Sequence, residues 1–108
     1  MAKKAKSCSL AQTKQYQARQ LAAGGVSMTL PQLQKEVKKL GYKLQFEGHY
    51  NNNYNRGECW KASMYTPTDL ATGKSFAHVG GRRDAKFERL QQLRKNVIVL
   101  HKGRIVEF

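Results

Sequence analysis

Two stretches of the chain repeat apolar residues with the spacing of an α-helix. In the first stretch, the apolar positions recur every three or four residues: Leu30, Leu33, Val37 and Leu40. Thr29 and Gln32 precede this stripe at capping-box spacing, and Gly41 follows it. The second stretch follows Gly80-Gly81 and has a similar stripe: Phe87, Leu90, Leu93 and Val97. We predict an amphipathic helix over each stretch.

A further helix is predicted nearer the start of the chain. Ser9 and Gln12 again have capping-box spacing, the following residues are rich in Ala, Gln and Leu, and Gly24-Gly25 ends the pattern. The residues before it form a Lys-rich arm with little to pack, so we expect them to be disordered. The predicted organisation is an arm over 1–8, a helix over 9–25 and one domain over 26–108.

Between the two amphipathic helices the apolar period changes from helical spacing to two. Tyr42, Leu44 and Phe46 alternate with polar residues, as do Trp60, Ala62 and Met64, and each set predicts a half-buried strand. The polar segment 48–57 between them, with four asparagines, predicts a long loop. A third short strand is expected over 75–79, and a hairpin over 97–108 around Lys102-Gly103. The predicted fold class is α+β, with an antiparallel sheet of three to five strands and helices on one face.

The net charge of the chain indicates which class of partner it binds. The 108 residues carry 20 Lys and Arg against 7 Asp and Glu, a formal net charge of +13. No acidic residue occurs before Glu36, so the cations are not scattered evenly. Such a chain repels itself unless a polyanion neutralises it. We predict nucleic acid as the partner, RNA rather than DNA, with an anionic membrane surface or an acidic protein as alternatives.

Other chemistry finds little support in the sequence. The three histidines and two cysteines lack the spacing of a metal site, and Gly73-Lys74-Ser75 lacks the glycine that a phosphate-binding P-loop needs five residues earlier. We therefore expect no cofactor and no catalysis. No apolar run is long enough to span a membrane, and two cysteines cannot build a disulfide framework. Reduced thiols and a cytoplasmic location are the expectation.

The order of predicted elements from Leu30 to Asn96 resembles the α-β-β-β-α core of the double-stranded-RNA-binding domain. Residues 82–86, Arg-Arg-Asp-Ala-Lys, are similar to the Lys-Lys-x-Ala-Lys stretch of that family. The resemblance implies that the first core helix, the loop after the first strand and the start of the last helix face an RNA duplex. The sequence lacks the Gly-Pro-x-His of the family's loop, and its last helix is not Ala-rich.

The same order of elements is similar to the small HicA-type toxins, which cleave messenger RNA. The similarity covers 33–40, Gly41-Tyr42 and Gly48-His49, although one residue of the family's Gly-x-His is missing. It implies that His49 would act as a general acid or base in RNA cleavage. A third alternative is an accessory or structural protein of a ribonucleoprotein, phage or plasmid system, which would need a protein partner.

The predicted contacts to nucleic acid are mostly cations, with a few ring side chains. The 49–56 loop combines aromatic residues, amides and a guanidinium, which can stack on bases, bond base edges and pair with phosphate. Arg82 and Arg83 stand at a helix N-terminus, where exposed N–H groups also favour phosphate. The predicted contact residues are Lys35, Lys38, Lys39, His49, Tyr50, Tyr54, Arg56, Arg82, Arg83, Lys86 and Arg89.

Overall fold

The computed structural model describes residues 8–53, 57–75 and 85–108. These residues form three helices and five strands. The helices are α1 (Leu10–Ala22), α2 (Leu30–Lys39) and α3 (Ala85–Asn96). The strands are β1 (Val26–Met28), β2 (Tyr42–Asn53), β3 (Cys59–Asp69), β4 (Val97–His101) and β5 (Arg104–Glu107).

Local signals in the sequence set the starts of α1 and α2. Ser9 Oγ accepts a hydrogen bond from the Gln12 N–H at 3.1 Å, and Gln12 Oε1 accepts one from the Ser9 N–H at 2.8 Å. Thr29 and Gln32 make the same reciprocal pair at the start of α2. Each pair satisfies backbone donors that the first helical turn leaves unbonded, so both predicted capping boxes are confirmed.

The predicted α+β class is confirmed, but the sheet is mixed rather than antiparallel. Its strand order is β1-β4-β5-β3-β2. The β2–β3 and β4–β5 pairs are antiparallel, whereas β1 pairs with β4 and β3 pairs with β5 in parallel. The prediction missed β1 because three residues are too few to show an alternating pattern. Of the predicted strand 75–79, only Ser75 lies among the described residues, and it makes a single bridge to Thr68.

Helices cover both faces of the sheet, which corrects the prediction of one covered face. Successive strand residues point to opposite faces, so Ile105 and Val106 of β5 lie in different clusters. One cluster contains the buried residues of α2 and α3: Leu30, Leu33, Val37 and Leu90. The other contains Trp60 and Ala62, with Tyr16 of α1 packed against them. We call these the α2/α3 face and the α1 face.

The N-terminal helix is held to β3 by packing, a hydrogen bond and a covalent bond. Tyr16 stacks on Trp60 with 3.9 Å between ring centroids, and buried Thr13 Oγ1 accepts a bond from the Lys61 N–H at 2.9 Å. Cys8 and Cys59 are paired as a disulfide with Cα atoms 5.4 Å apart, within the usual range. The prediction of reduced thiols is therefore wrong, because docking of α1 brings Cys8 to the start of β3. Residues 1–7 of the predicted arm lie outside the described residues.

The β2–β3 hairpin is longer than predicted and the loop correspondingly shorter. Strand pairing continues to Asn53 opposite Cys59, so most of the predicted 48–57 loop is strand. The sequence indicated a loop here for two reasons. Asparagines are uncommon in strands, and a register shift between Phe46 and Gly48 interrupts the alternating pattern. The C-terminal hairpin is confirmed. Lys102 and Gly103 both have positive φ angles, 51° and 74°, as a two-residue hairpin turn of type I′ requires.

Candidate nucleic-acid interface

The three predicted lysines of α2 form an exposed stripe opposite its buried side. Lys35, Lys38 and Lys39 are exposed, whereas Leu33 and Val37 are fully buried. Spacings of three and four residues place the lysine ammonium groups on one side of the helix. Lys39 Nζ lies 3.2 Å from Glu36 Oε1, while Lys35 and Lys38 form no ion pair with another described residue.

The predicted cations of α3 have two different roles. Lys86 Nζ donates to Asp69 Oδ1 at 2.7 Å and lies 4.8 Å from the centroid of the Tyr42 ring, so it ties the start of α3 to the sheet. The hydrogen bond from Lys86 lowers the pKa of Asp69 below its usual value, which keeps this carboxylate charged. Arg89, one turn further on, is exposed and has no acidic partner among the described residues.

Four predicted contact residues lie outside the described residues. They are Tyr54, Arg56, Arg82 and Arg83. The predicted phosphate contact at the start of the last helix and the tip of the β2–β3 hairpin therefore stay predictions.

Tyr50 is part of a polar network on the α1 face. Its hydroxyl donates to Glu107, which also accepts from Asn52 Nδ2 at 3.1 Å and from Trp60 Nε1 at 3.2 Å. Burial, followed by the bond to Glu107, raises the pKa of Tyr50 well above its usual value. The structure thus separates Tyr50 from His49, its neighbour in sequence, because adjacent strand residues point to opposite faces.

His49 points to the α2/α3 face, beyond the part that the helices cover. Its Nδ1 lies 2.8 Å from Oγ of the buried Ser63, the residue opposite it on β3. The Phe46 ring meets the imidazole edge-on, with 5.0 Å between centroids. These two contacts fix the position of the imidazole, and Nε2 has no partner among the described residues.

His49 shares a cleft of about 420 Å³ with five residues that the sequence analysis did not select. The cleft is lined by Phe46, His49, Tyr65, His101, Lys102 and Arg104. The guanidinium of Arg104 is held in place by a bond from Nη1 to the Ala62 carbonyl at 3.2 Å. The β2–β3 hairpin supplies two aromatic rings and the His49 imidazole. The β4–β5 hairpin supplies the His101 imidazole and two cations.

The cleft follows from the difference in length between α2 and β2, which the sequence analysis did not predict because it assigned 48–57 to a loop. The 10 residues of α2 span about 15 Å at 1.5 Å per residue, whereas the 12 residues of β2 span about 40 Å. Helices of this length cannot cover the whole sheet face. Phe46 belongs by alternation to the buried side with Tyr42 and Leu44, yet it is 49% exposed.

Comparison with known proteins gives no relative. No protein-family model matches the chain, and no curated protein or solved structure matches it significantly. Within 8–53, 57–75 and 85–108 no group of three or more potential metal ligands occurs. No helix in the same residues has the length and apolar character needed to cross a membrane.

Five cations that lack acidic partners among the described residues lie on the α2/α3 face and its cleft. Lys35, Lys38 and Arg89 lie on the covering helices, and Lys102 and Arg104 lie at the uncovered end of the same face. By contrast, the α1 face carries the Arg19–Glu58 ion pair, with Nη1 and Oε1 2.6 Å apart, and the Glu107 network. Lys14 of α1 is also exposed and has no ion pair with another described residue, so the α1 side carries an unpaired cation as well.

Proposed function

We propose that this protein binds nucleic acid, RNA rather than DNA, through the α2/α3 face and without catalysis. The observation that carries the proposal is a set of five cations without acidic partners on the α2/α3 face and in its cleft. Lys35, Lys38 and Arg89 on the helices would contact phosphates, together with Lys102 and Arg104 at the cleft. The proposal allows a protein partner in a larger complex.

Uncompensated cations on one face favour a phosphate backbone over a scattered set of small anions. Each phosphate that is neutralised releases condensed counterions, and this release supplies much of the binding free energy. Lysines on a helix surface contact phosphates without reading bases, so affinity would depend weakly on sequence. The resemblance to the double-stranded-RNA-binding domain supports the same α2 surface, since its first helix faces the duplex.

Removing the two unpaired lysines of α2 is the direct test. We expect Lys35→Ala/Lys38→Ala to bind RNA more weakly for every sequence tried, measured by gel shift with duplex and single-stranded RNA and DNA. The variant should fold normally, because both side chains are exposed and Ala is the best helix former.

Lys14→Ala is the matched control for each single lysine variant. Lys14 is exposed on α1, on the other side of the sheet. Equal losses for Lys14→Ala and Lys35→Ala would show that binding depends on net charge alone and not on the α2/α3 face. Wild-type protein that binds none of the four nucleic acids would end the proposal.

RNA cleavage is a second candidate function. The observation behind it is that His49 and His101 line one cleft together with two cations. A neutral imidazole can take the proton of a ribose 2′-hydroxyl, whose oxygen then attacks the adjacent phosphorus. The bond from phosphorus to the 5′ oxygen breaks, and a protonated imidazole gives that oxygen its proton. The products are a 2′,3′-cyclic phosphate and a free 5′-hydroxyl, and the arginine and lysine would stabilise the added negative charge.

Incubation of the pure protein with long RNA in the presence of a chelator separates the two functions. If the second holds, wild type leaves 2′,3′-cyclic phosphate ends, and His49→Ala or His101→Ala slows cleavage by about 10²- to 10⁴-fold. Both variants should keep RNA binding within a few-fold, because other residues hold the phosphates. Intact RNA after prolonged incubation with wild type would exclude cleavage and leave the binding function standing.

A further inference from the structure

We propose that the cleft at the uncovered end of the α2/α3 face binds an unpaired nucleotide of single-stranded RNA, with its base against Phe46 and its phosphate held by Lys102 and Arg104. This inference rests on the proposed function and specifies the form of RNA that the cleft takes. It assigns a role to residues that the sequence analysis passed over.

The exposure of Phe46 is the first observation. A large apolar ring on a strand is normally covered, but Phe46 is 49% exposed. The ring is fixed on two sides, by His49 at 5.0 Å and by Tyr65 at 5.3 Å between centroids, both inclined at about 60°. A rigid exposed ring loses little conformational entropy when a base stacks on it.

The charge around Phe46 is the second observation. Lys102, Arg104 and His101 lie across the cleft on the β4–β5 hairpin, and no carboxylate lines the cleft among the described residues. Arg104 is oriented by its bond to the Ala62 carbonyl, which leaves further guanidinium donors for a ligand. An apolar ring facing fixed cations matches a nucleotide, whose base is flat and whose phosphate is negative.

The strand positions beyond the cleft extend the same surface. On β2 and β3, register pairs His49 with Ser63 and Asn51 with Lys61, and alternation puts these pairs on the α2/α3 face. Asn51 is exposed and Lys61 is partly exposed. A single strand leaving the cleft along the hairpin would meet an amide and an ammonium group side by side. Amides can bond base edges, and lysine can pair with the next phosphates.

A duplex does not fit this arrangement. Bases in a duplex are stacked on each other and paired, so a protein ring reaches a base face only where the strand is unpaired. The lysines of α2 contact phosphates, which duplex and single strand both present. The two surfaces therefore predict different selectivity, and variants can separate them.

The test compares Phe46→Ala with wild type by fluorescence anisotropy on labelled short RNA, single-stranded and duplex, with single-stranded DNA as a further probe. We expect single-strand affinity to fall about 5- to 100-fold, as for other stacked bases, and duplex affinity to change less than about twofold. Phe46→Trp should retain single-strand binding, since it keeps a stacking ring. Phe46→Leu, which keeps apolar surface without a ring, should lose most of it.

Leu70→Ala is the matched control for removing an exposed apolar side chain, because Leu70 is 52% exposed and lies outside the cleft. Single-strand affinity that Phe46→Ala leaves unchanged, or that falls equally in Leu70→Ala, would overturn the cleft assignment. If Lys35→Ala/Lys38→Ala still weakens RNA binding in that case, the proposed function survives without the cleft. Equal affinity for single-stranded RNA and DNA would show that the cleft stacks bases without preferring RNA, which would overturn the RNA part of the assignment.

Discussion

A fourfold rise in salt, from about 50 to 200 mM, is expected to weaken RNA binding roughly 250-fold, because five cationic contacts give a slope of about −4 in log affinity against log salt concentration. The five contacts are Lys35, Lys38, Arg89, Lys102 and Arg104. Titrations at several salt concentrations, by anisotropy or gel shift, measure the slope directly. A slope near zero would exclude phosphate contacts as the source of affinity.

The salt experiment also assigns the contacts to residues. Lys35→Ala/Lys38→Ala is expected to make the slope shallower by about 1.4 to 1.8, since each lost phosphate contact removes 0.7 to 0.9. Phe46→Ala is expected to leave the slope unchanged while lowering single-strand affinity, because stacking releases no counterions. A change of slope in Phe46→Ala would mean that the ring acts by placing the neighbouring cations.

The second large effect concerns the α1 face. Trp60→Ala is expected to lower the free energy of unfolding by about 3 to 5 kcal/mol, the usual cost of removing a buried aromatic side chain. Trp60 is 6% exposed, stacks on Tyr16 and donates to Glu107, so the change removes packing and leaves an acceptor less satisfied. Urea unfolding followed by circular dichroism measures the loss. A small domain has only about 5 to 15 kcal/mol of stability in total, so the variant would lose a large share of it.

Trp60→Phe separates the ring stack from the hydrogen bond, because it keeps an aromatic ring against Tyr16 but has no N–H to donate. We expect it to lose less than half as much stability as Trp60→Ala. Leu70→Ala, on the exposed turn after β3, is expected to change stability by less than about 0.5 kcal/mol. Similar losses in Trp60→Ala and Leu70→Ala would contradict the packing role assigned to Trp60.

Elements with a strong local signal were predictable from the sequence. Both capping boxes, the buried stripe of α2 and the two-residue turn at Lys102-Gly103 follow from interactions between residues close in the chain. The parallel β1–β4 pair was not predictable, because it joins Val26–Met28 to Val97–Val99 across most of the sequence. Alternation identifies residues that share a face, but it does not state which strands become neighbours.

The candidate site was predicted in part. The exposed α2 lysines followed from helix periodicity, and Arg89 from the charge of α3. His49 and Tyr50 were predicted together as loop residues, whereas the longer hairpin puts them on opposite faces. The cleft joins β2, β3 and the β4–β5 turn, so its composition depends on the order of strands in the sheet. That order is a long-range property that local patterns do not contain.

The position of the C-terminal hairpin in the sheet has a consequence for how the chain folds during synthesis. β4 and β5 are central strands, lying between β1 on one side and the β2–β3 pair on the other. Every described element before residue 97 therefore leaves the ribosome before β4 and β5 do, and of the described strand pairs only β2–β3 can form beforehand. Until residues 97–107 emerge, Trp60 and Leu33 have no complete core to enter, so nascent chains expose apolar surface and depend on late, long-range pairing.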